Sequence, residues 1–462
     1  MSVVESAKAL CASALALASV AVLVGCSRET YPVNPPLARY DPAYGFRLEN
    51  VAAGTDNARD MLLVLTFSGG GTRAAALAYG TLEALRDTPV RTGGTEHSML
   101  KEVDYISATS GGAVTAAYYG LYRDQIFADF GDKFLYRDVQ GELIRSLARN
   151  VYAVSSPRYG RGDVFAEYLD RNLFGGMTFA ELARHPRPFI ALNATDISLG
   201  AQFVFSQHYF DLICSDLNAV SVGRAVAASA AALPVFSPIT LWNYAGKCGY
   251  TLPPFLTDSV EGNPRRARDR MEILTYLDSQ ERPYIHLMDG GMTDNLAVRQ
   301  ALAVVTRLGS IKSALDALGF GDVRYVVFVT VDAELEANFE LDKSAAVPGP
   351  IDTIGSMKRL VGFSSFDASV GMQYAINEWQ RELQSVRKPG QPPPEFFVID
   401  VALHSIKDPA THRRLTSIPT TLNLARADVD ELRGLAGKLL RESPDFQRLM
   451  THIGPSADKT VR

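Results

Sequence analysis

Apolar and polar residues alternate between two rhythms along the middle of this chain. Met61-Leu62-Leu63-Val64-Leu65-Thr66-Phe67 is an unbroken apolar run of strand length, followed at Arg73 to Arg86 by apolar positions at helical spacing. Val103 to Ala108 repeats the strand, and Gly111 to Tyr122 repeats the helix. Further buried strands are predicted at Phe189 to Ala194, Pro238 to Tyr244, Tyr284 to Met288, Val323 to Val331 and Phe396 to Leu403. Helices are predicted at Val222 to Leu233, rich in alanine and so able to pack close to a sheet, and at Asp428 to Leu440. Strand, glycine turn and helix in repetition point to βαβ units and a largely parallel sheet. Residues 123–188 read as a helical insertion able to form a cap. The stretches 340–365 and Pro389 to Pro394 read as surface loops.

Three of the turns carry candidate chemistry, each at the carboxyl end of a predicted strand, where open α/β sheets place their ligands. After the first strand comes Ser68-Gly69-Gly70-Gly71-Thr72-Arg73, where consecutive glycines let backbone N–H groups converge at a helix N-terminus. Gly69, Gly71 and Ala74 also fit a dinucleotide-binding turn, but the next strand ends at Ser107-Ala108-Thr109-Ser110 instead of the acidic residue that would hold ribose. A P-loop is excluded by the missing Gly-Lys-Ser/Thr. The second turn, Ala108-Thr109-Ser110-Gly111-Gly112, is a near match to the G-x-S-x-G nucleophile elbow, in which a strained serine needs small neighbours. The third, Met288-Asp289-Gly290-Gly291, places a carboxylate at a strand end, where an ordinary Asx turn would look the same.

In this order the three motifs resemble the patatin-like phospholipase family, over roughly residues 60–300. The resemblance implies a three-layer α/β/α sandwich, Ser110 as nucleophile, Asp289 as general base, and Gly69, Gly70 and Gly71 as the oxyanion loop, with Arg73 at the family's arginine position. Ala108, Gly111, Gly112, Gly290 and Gly291 would support these groups. Ala74 and Ala108 stand where the family usually has glycine, while Ala228-Ser229-Ala230-Ala231-Ala232-Leu233-Pro234 looks like its serine- and proline-containing block. The implied activity is hydrolysis of fatty-acyl esters of lipids, of phospholipase A or lysophospholipase kind, with no metal or cofactor. An acyltransferase, a general carboxylesterase or a silent acyl-binding protein would use the same cleft. His286 is three residues from Asp289, and an odd separation along a strand puts the two on opposite faces, so a dyad without histidine is expected.

The ends of the chain add a location. Lys8 and the apolar run Ala9 to Val24 have the length of a secretory signal, and Leu23-Val24-Gly25-Cys26 resembles a bacterial lipobox, in which Cys26 would be lipidated. The reading is a signal peptide over 1–25, a proline-rich tether over 26–60, a catalytic domain over 61–335 and a C-terminal extension over 336–462 packed on it. Ser27 after the cysteine favours outer-membrane sorting in the bacterial envelope. Cys11 would leave with the signal, so Cys214 and Cys248 remain to pair in an oxidising compartment. The net charge of −5, with scattered Lys and Arg, offers no footprint for nucleic acid. The basic cluster Arg265, Arg266, Arg268 and Arg270 is interrupted by Asp269 and reads as a solvated helix face.

Overall fold

In the computed structural model, residues 31–54, 57–149, 154, 156–253, 264–334, 343, 345, 350–386 and 392–455 are described, with side chains of the 350–386 helix described at 365 and from 367. The segment read as a signal peptide, with Cys26, lies outside the described residues.

The strands are β1 (Met61–Phe67), β2 (Pro89–Thr92), β3 (Thr95–Ser98), β4 (Val103–Thr109), β5 (Phe189–Asp196), β6 (Ala201–Val204), β7 (Ile239–Trp242), β8 (Tyr284–Asp289), β9 (Tyr325–Asp332) and β10 (Glu395–Ala402). Eight of them form one mixed sheet in the order β10-β9-β1-β4-β5-β8-β7, with β6 also pairing β5, while β2 and β3 make a separate hairpin. The five strands from β10 to β5 run parallel, an arrangement that needs both faces of the sheet covered. Helices cover both faces, giving the α/β sandwich.

The two faces follow from the alternation within β1. Leu62 and Val64 line an apolar cavity with Ala301, Ile311, Leu315 and Trp379, from helices α6 (Arg299–Leu308), α7 (Ile311–Ala317) and α8 (Pro350–Val386). On the other face lie α1 (Gly71–Arg86), α2 (Ser110–Tyr122), α5 (Val222–Ser229) and α9 (Arg426–Glu442), counting α3 (Val139–Arg149) and α4 (Arg161–Leu169) from the insertion between them. Small residues make the close packing possible: Thr115 of α2 donates to the carbonyl of Ala75 in α1, and Arg433 of α9 pairs with Glu83 of α1 at 2.8 Å.

Several expectations are corrected. The alanine-rich helix stops at Ser229 rather than Leu233, because Ala230 to Ala232 turn and the Ala231 carbonyl accepts the amide of Asp289. Where a loop was expected over 340–365, a helix begins at Pro350 and runs to Val386, its Ala368, Met372, Ile376, Trp379 and Leu383 buried at helical spacing. Strand β8 runs antiparallel to β5, pairing Ala194 with Asp289 and Asp196 with Leu287.

The segment read as a tether lies against the domain from Tyr31. Phe46 is fully buried and stacks on Phe189 at 4.5 Å, a burial that contributes about 1.5–3 kcal/mol. Arg47 pairs with buried Asp211 at 2.7 Å, and Asn34 hydrogen-bonds Ser215 and Trp242. Its proline content reflects irregular backbone satisfied by side chains, which periodicity does not report. Nearby, Cys214 and Cys248 form a disulfide beside Leu37. The 123–188 insertion is helical and places Phe130, Phe134 and Phe174 in the same core as Tyr79 and Tyr118 of α1 and α2.

One buried charge ties the fold to pH. Asp104, at the start of β4, accepts the Leu63 amide at 2.9 Å and Arg187 at 3.0 Å, and burial pushes its carboxyl up to about 7 from 3.8. A pKa raised on folding means that the folded chain binds the proton more tightly, so stability falls as pH rises through that window. The urea midpoint is expected to drop between pH 5 and pH 8, reflecting about 1–4 kcal/mol from this group. Asp104→Asn should make that dependence shallower, and an equal slope in both proteins would contradict the assignment.

Candidate active site

Ser110 sits where β4 turns into α2, with φ at +53°, a left-handed conformation that a residue with a side chain adopts only under constraint from its surroundings. The constraints are local and polar. The Ser110 amide donates to Ser229 Oγ at 2.9 Å, and Ser229 Oγ donates to the carbonyl of Asn193 at 2.6 Å. The Gly112 amide donates to the Ser68 carbonyl. Gly111 lies so close to the glycine loop that a Cβ there would come within 2.0 Å of the Gly71 carbonyl oxygen, which explains a glycine directly after the serine. Ala108, fully buried in β4, pairs with Phe67 and Leu192 and accepts from Asn193 Nδ2.

Asp289 ends β8. Ser110 Oγ donates to Asp289 Oδ2 at 2.9 Å, and the Gly291 amide donates to Asp289 Oδ1 at 2.8 Å. Thr195 donates to the Asp289 carbonyl, and the Gly290 amide to the Ser229 carbonyl, so strand end and carboxylate are both held. One oxygen of the carboxylate thus faces the serine while the other is anchored. Asp294 braces the turn from below: it is fully buried, accepts the Val298 and Arg299 amides and the Gln202 amide group, and burial raises its carboxyl to about 6. Thr109 donates to its carbonyl oxygen.

The glycine loop divides its amides. Gly69 N–H donates to the Asn295 carbonyl at 3.1 Å, so of the three glycines expected to supply oxyanion donors this one is already engaged. Asn295 arrives there because the chain after Asp289 crosses the loop. Gly70 and Gly71, at φ +142° and +62°, lead into α1 with amides that have no protein acceptor among the described residues. They stand at a helix N-terminus, where unsatisfied N–H groups and the helix dipole favour negative charge.

Arg73 is buried, and its guanidinium donates to the carbonyls of Ala333 and Ile418 and to Thr420 Oγ1. Burial lowers its pKa to about 10, opposed by the nearby carboxylate of Asp332, itself raised to about 6 by its burial.

Four of the seven histidines are engaged elsewhere. His286 bonds Thr240 across the β7–β8 pair at 3.0 Å, on the side of the strand away from Asp289. His97 bonds Glu102, His208 bonds Glu49 and Arg47, and His452 lies 3.6 Å from Glu395. From the sequence Ser229 stood within its block without a role, and Asn193, Thr195 and Asn295 had none assigned. All four act through hydrogen bonds between distant segments, which leave no periodic trace.

Comparison with known proteins adds the following. The model of the family described as patatin-like phospholipase matches residues 65–302. No curated protein matches the chain. Among solved structures, human GIVD cytosolic phospholipase A2 aligns over 85% of this chain at 11% identity with a TM-score of 0.37. The same human enzyme in complex with methyl gamma-linolenyl fluorophosphonate aligns over 85% at 14% identity with a TM-score of 0.39. The chain spans 63% and 60% of the length of those two chains. With the family model covering more than half of its residues, the elbow, the glycine loop and Asp289 among them, this chain belongs to the patatin-like phospholipase family.

Proposed function

We propose that this chain is a serine acyl hydrolase that cleaves fatty-acyl esters of lipids, of phospholipase A or lysophospholipase type, through a Ser110–Asp289 dyad. The observation that carries the reading is the 2.9 Å hydrogen bond from Ser110 Oγ to Asp289 Oδ2 beside the open amides of Gly70 and Gly71.

A serine hydroxyl is a weak nucleophile until a base takes its proton. As Oγ attacks the ester carbonyl carbon, its proton passes to Asp289 Oδ2, and the carbonyl oxygen becomes an oxyanion received by the Gly70 and Gly71 amides. The C–O bond to the alcohol then breaks, and the leaving alkoxide takes the proton from Asp289. Water repeats the sequence on the acyl-enzyme: Asp289 accepts its proton, the hydroxide adds, and Ser110 Oγ leaves with the proton restored as the fatty acid departs. The anchored Oδ1 keeps Oδ2 aimed at the serine throughout.

We also propose that the protein is held at the bacterial envelope, on the outer membrane, by lipid on Cys26. The lipobox-like run supports this, and the Cys214–Cys248 disulfide agrees with an oxidising compartment. Among the described residues no helix is long and apolar enough to cross a membrane.

With a p-nitrophenyl acyl ester as substrate, Ser110→Ala and Asp289→Asn are each expected to lower kcat by roughly 10³-fold or more. His286→Gln should retain most of kcat in folded protein. A histidine variant that folds yet is as inactive as Ser110→Ala would replace the dyad by a triad. For the anchor, Cys26→Ser should abolish incorporation of labelled palmitate in growing cells and leave a larger precursor; equal labelling of both forms would refute it.

A further inference from the structure

Consecutive glycines are the least self-supporting backbone a chain can use, since ordering them costs more conformational entropy than ordering any other residue. A pair of oxyanion donors on Gly70 and Gly71 therefore needs restraint from outside. One side is held by the Asn295 carbonyl on the Gly69 amide. The other is held by a segment far along the chain and beyond the family match, Ile418 to Leu422. The Thr421 carbonyl accepts the Thr72 amide at 2.9 Å, and Thr421 backbone lies so close to Gly71 that a Cβ on that glycine would come within 2.4 Å of its carbonyl oxygen.

Arg73 fastens this segment. Its three nitrogens reach Ala333, Ile418 and Thr420, so one side chain joins the end of β9, the C-terminal segment and the first turn of α1. At 1% exposure it presents no charge to a substrate. Asp332 supplies the countercharge within the protein. Beyond Thr421, Leu422 exchanges hydrogen bonds with Gln140 at the start of α3, which fixes the segment's far end.

Resting on the hydrolase reading, we infer that Ile418–Leu422 is a working part of the oxyanion site and that Arg73 is its positioning residue: the pair sets which amides are occupied and which remain for the substrate. Thr72 is capped by Thr421, Gly69 is capped by Asn295, and the two amides between them have no acceptor among the described residues. Arg73 acts through the loop and touches no reacting atom.

The test uses the full chain and two independent readouts. In Arg73→Met, amides of residues 68–76 should exchange with deuterium at least about tenfold faster than in wild type, while the β7–β8 pair exchanges as before. With the p-nitrophenyl ester, kcat should fall about 10²-fold, as for loss of one oxyanion donor, with KM within about threefold of wild type. The Ki of an aliphatic trifluoromethyl ketone, whose hemiketal places an oxyanion in the same position, should rise in parallel with the loss in kcat/KM. Arg73→Lys, which keeps one donor group, should recover part of kcat. Should Arg73→Met fail to fold, a glycine inserted between Pro419 and Thr420 moves the Thr421 carbonyl while leaving Arg73 intact, and the same loss is expected. Folded variants with wild-type exchange at 68–76, or with faster exchange and unchanged kcat, would overturn the inference. A wild-type chain inactive on every ester would remove the hydrolase reading, and the exchange comparison alone would then decide for or against the clamp.

Discussion

Much of this structure depends on holding one serine in a backbone conformation that serine disfavours. A left-handed residue at the tip of a strand costs on the order of 1–3 kcal/mol and persists only when its neighbours over-determine it. Here they come from three directions: Ser229 at the end of one helix, Ser68 at the end of the adjacent strand, and the Gly71 backbone pressed against Gly111. Each requires a small residue or a hydroxyl at one position. The run of alanine, serine and glycine in these turns is the compositional consequence.

A second constraint concerns direction. If β8 continued the parallel order, its carboxyl end would reach the rim beside that of β5, facing solvent. Instead β5 extends past its last pairing with β4, which joins Thr109 to Asn193, and β8 descends antiparallel along that overhang until Asp289 stands opposite Ala194. The carboxylate is therefore delivered inward, at the height of the serine. The overhang's other side is occupied by β6, so the extra length of β5 is paired on both edges.

This reversal also marks what the sequence could and could not convey. The central strands were legible because β1, β4, β5 and β9 are mainly apolar, whereas the four-residue strands β2, β3 and β6 were not predicted, and the three glycine turns announced themselves by composition. The direction of β8 was not, since Tyr284 to Met288 reads the same in either orientation. Nor was the helix from Pro350, whose early sequence is interrupted by Gly355 and Gly362. The docking of residues 31–54 depends on Phe46 and Arg47, two side chains in a segment otherwise poor in pattern. At the site, the reacting side chains were legible as motifs, whereas the division of amides in the glycine loop was not. That division is decided by Asn295 and Thr421, whose backbone carbonyls carry no side-chain signature.

Strand β1 lies between β4 and β9, so Leu63–Phe67 are paired on one edge by a segment made soon after them, and all seven residues are paired on the other by Tyr325–Val331. During synthesis the first edge can close early, while the second stays open until most of the chain exists. In that interval Met61–Phe67 is an apolar strand with a bare row of N–H and C=O groups, the kind of edge that recruits other chains. The catalytic motifs are complete by Asn295, yet a polypeptide stopped there would present that edge permanently. The hazard of self-association, beside the hold that Ile418–Leu422 keeps on the glycine loop, thus sets how much of the chain must accompany the motifs.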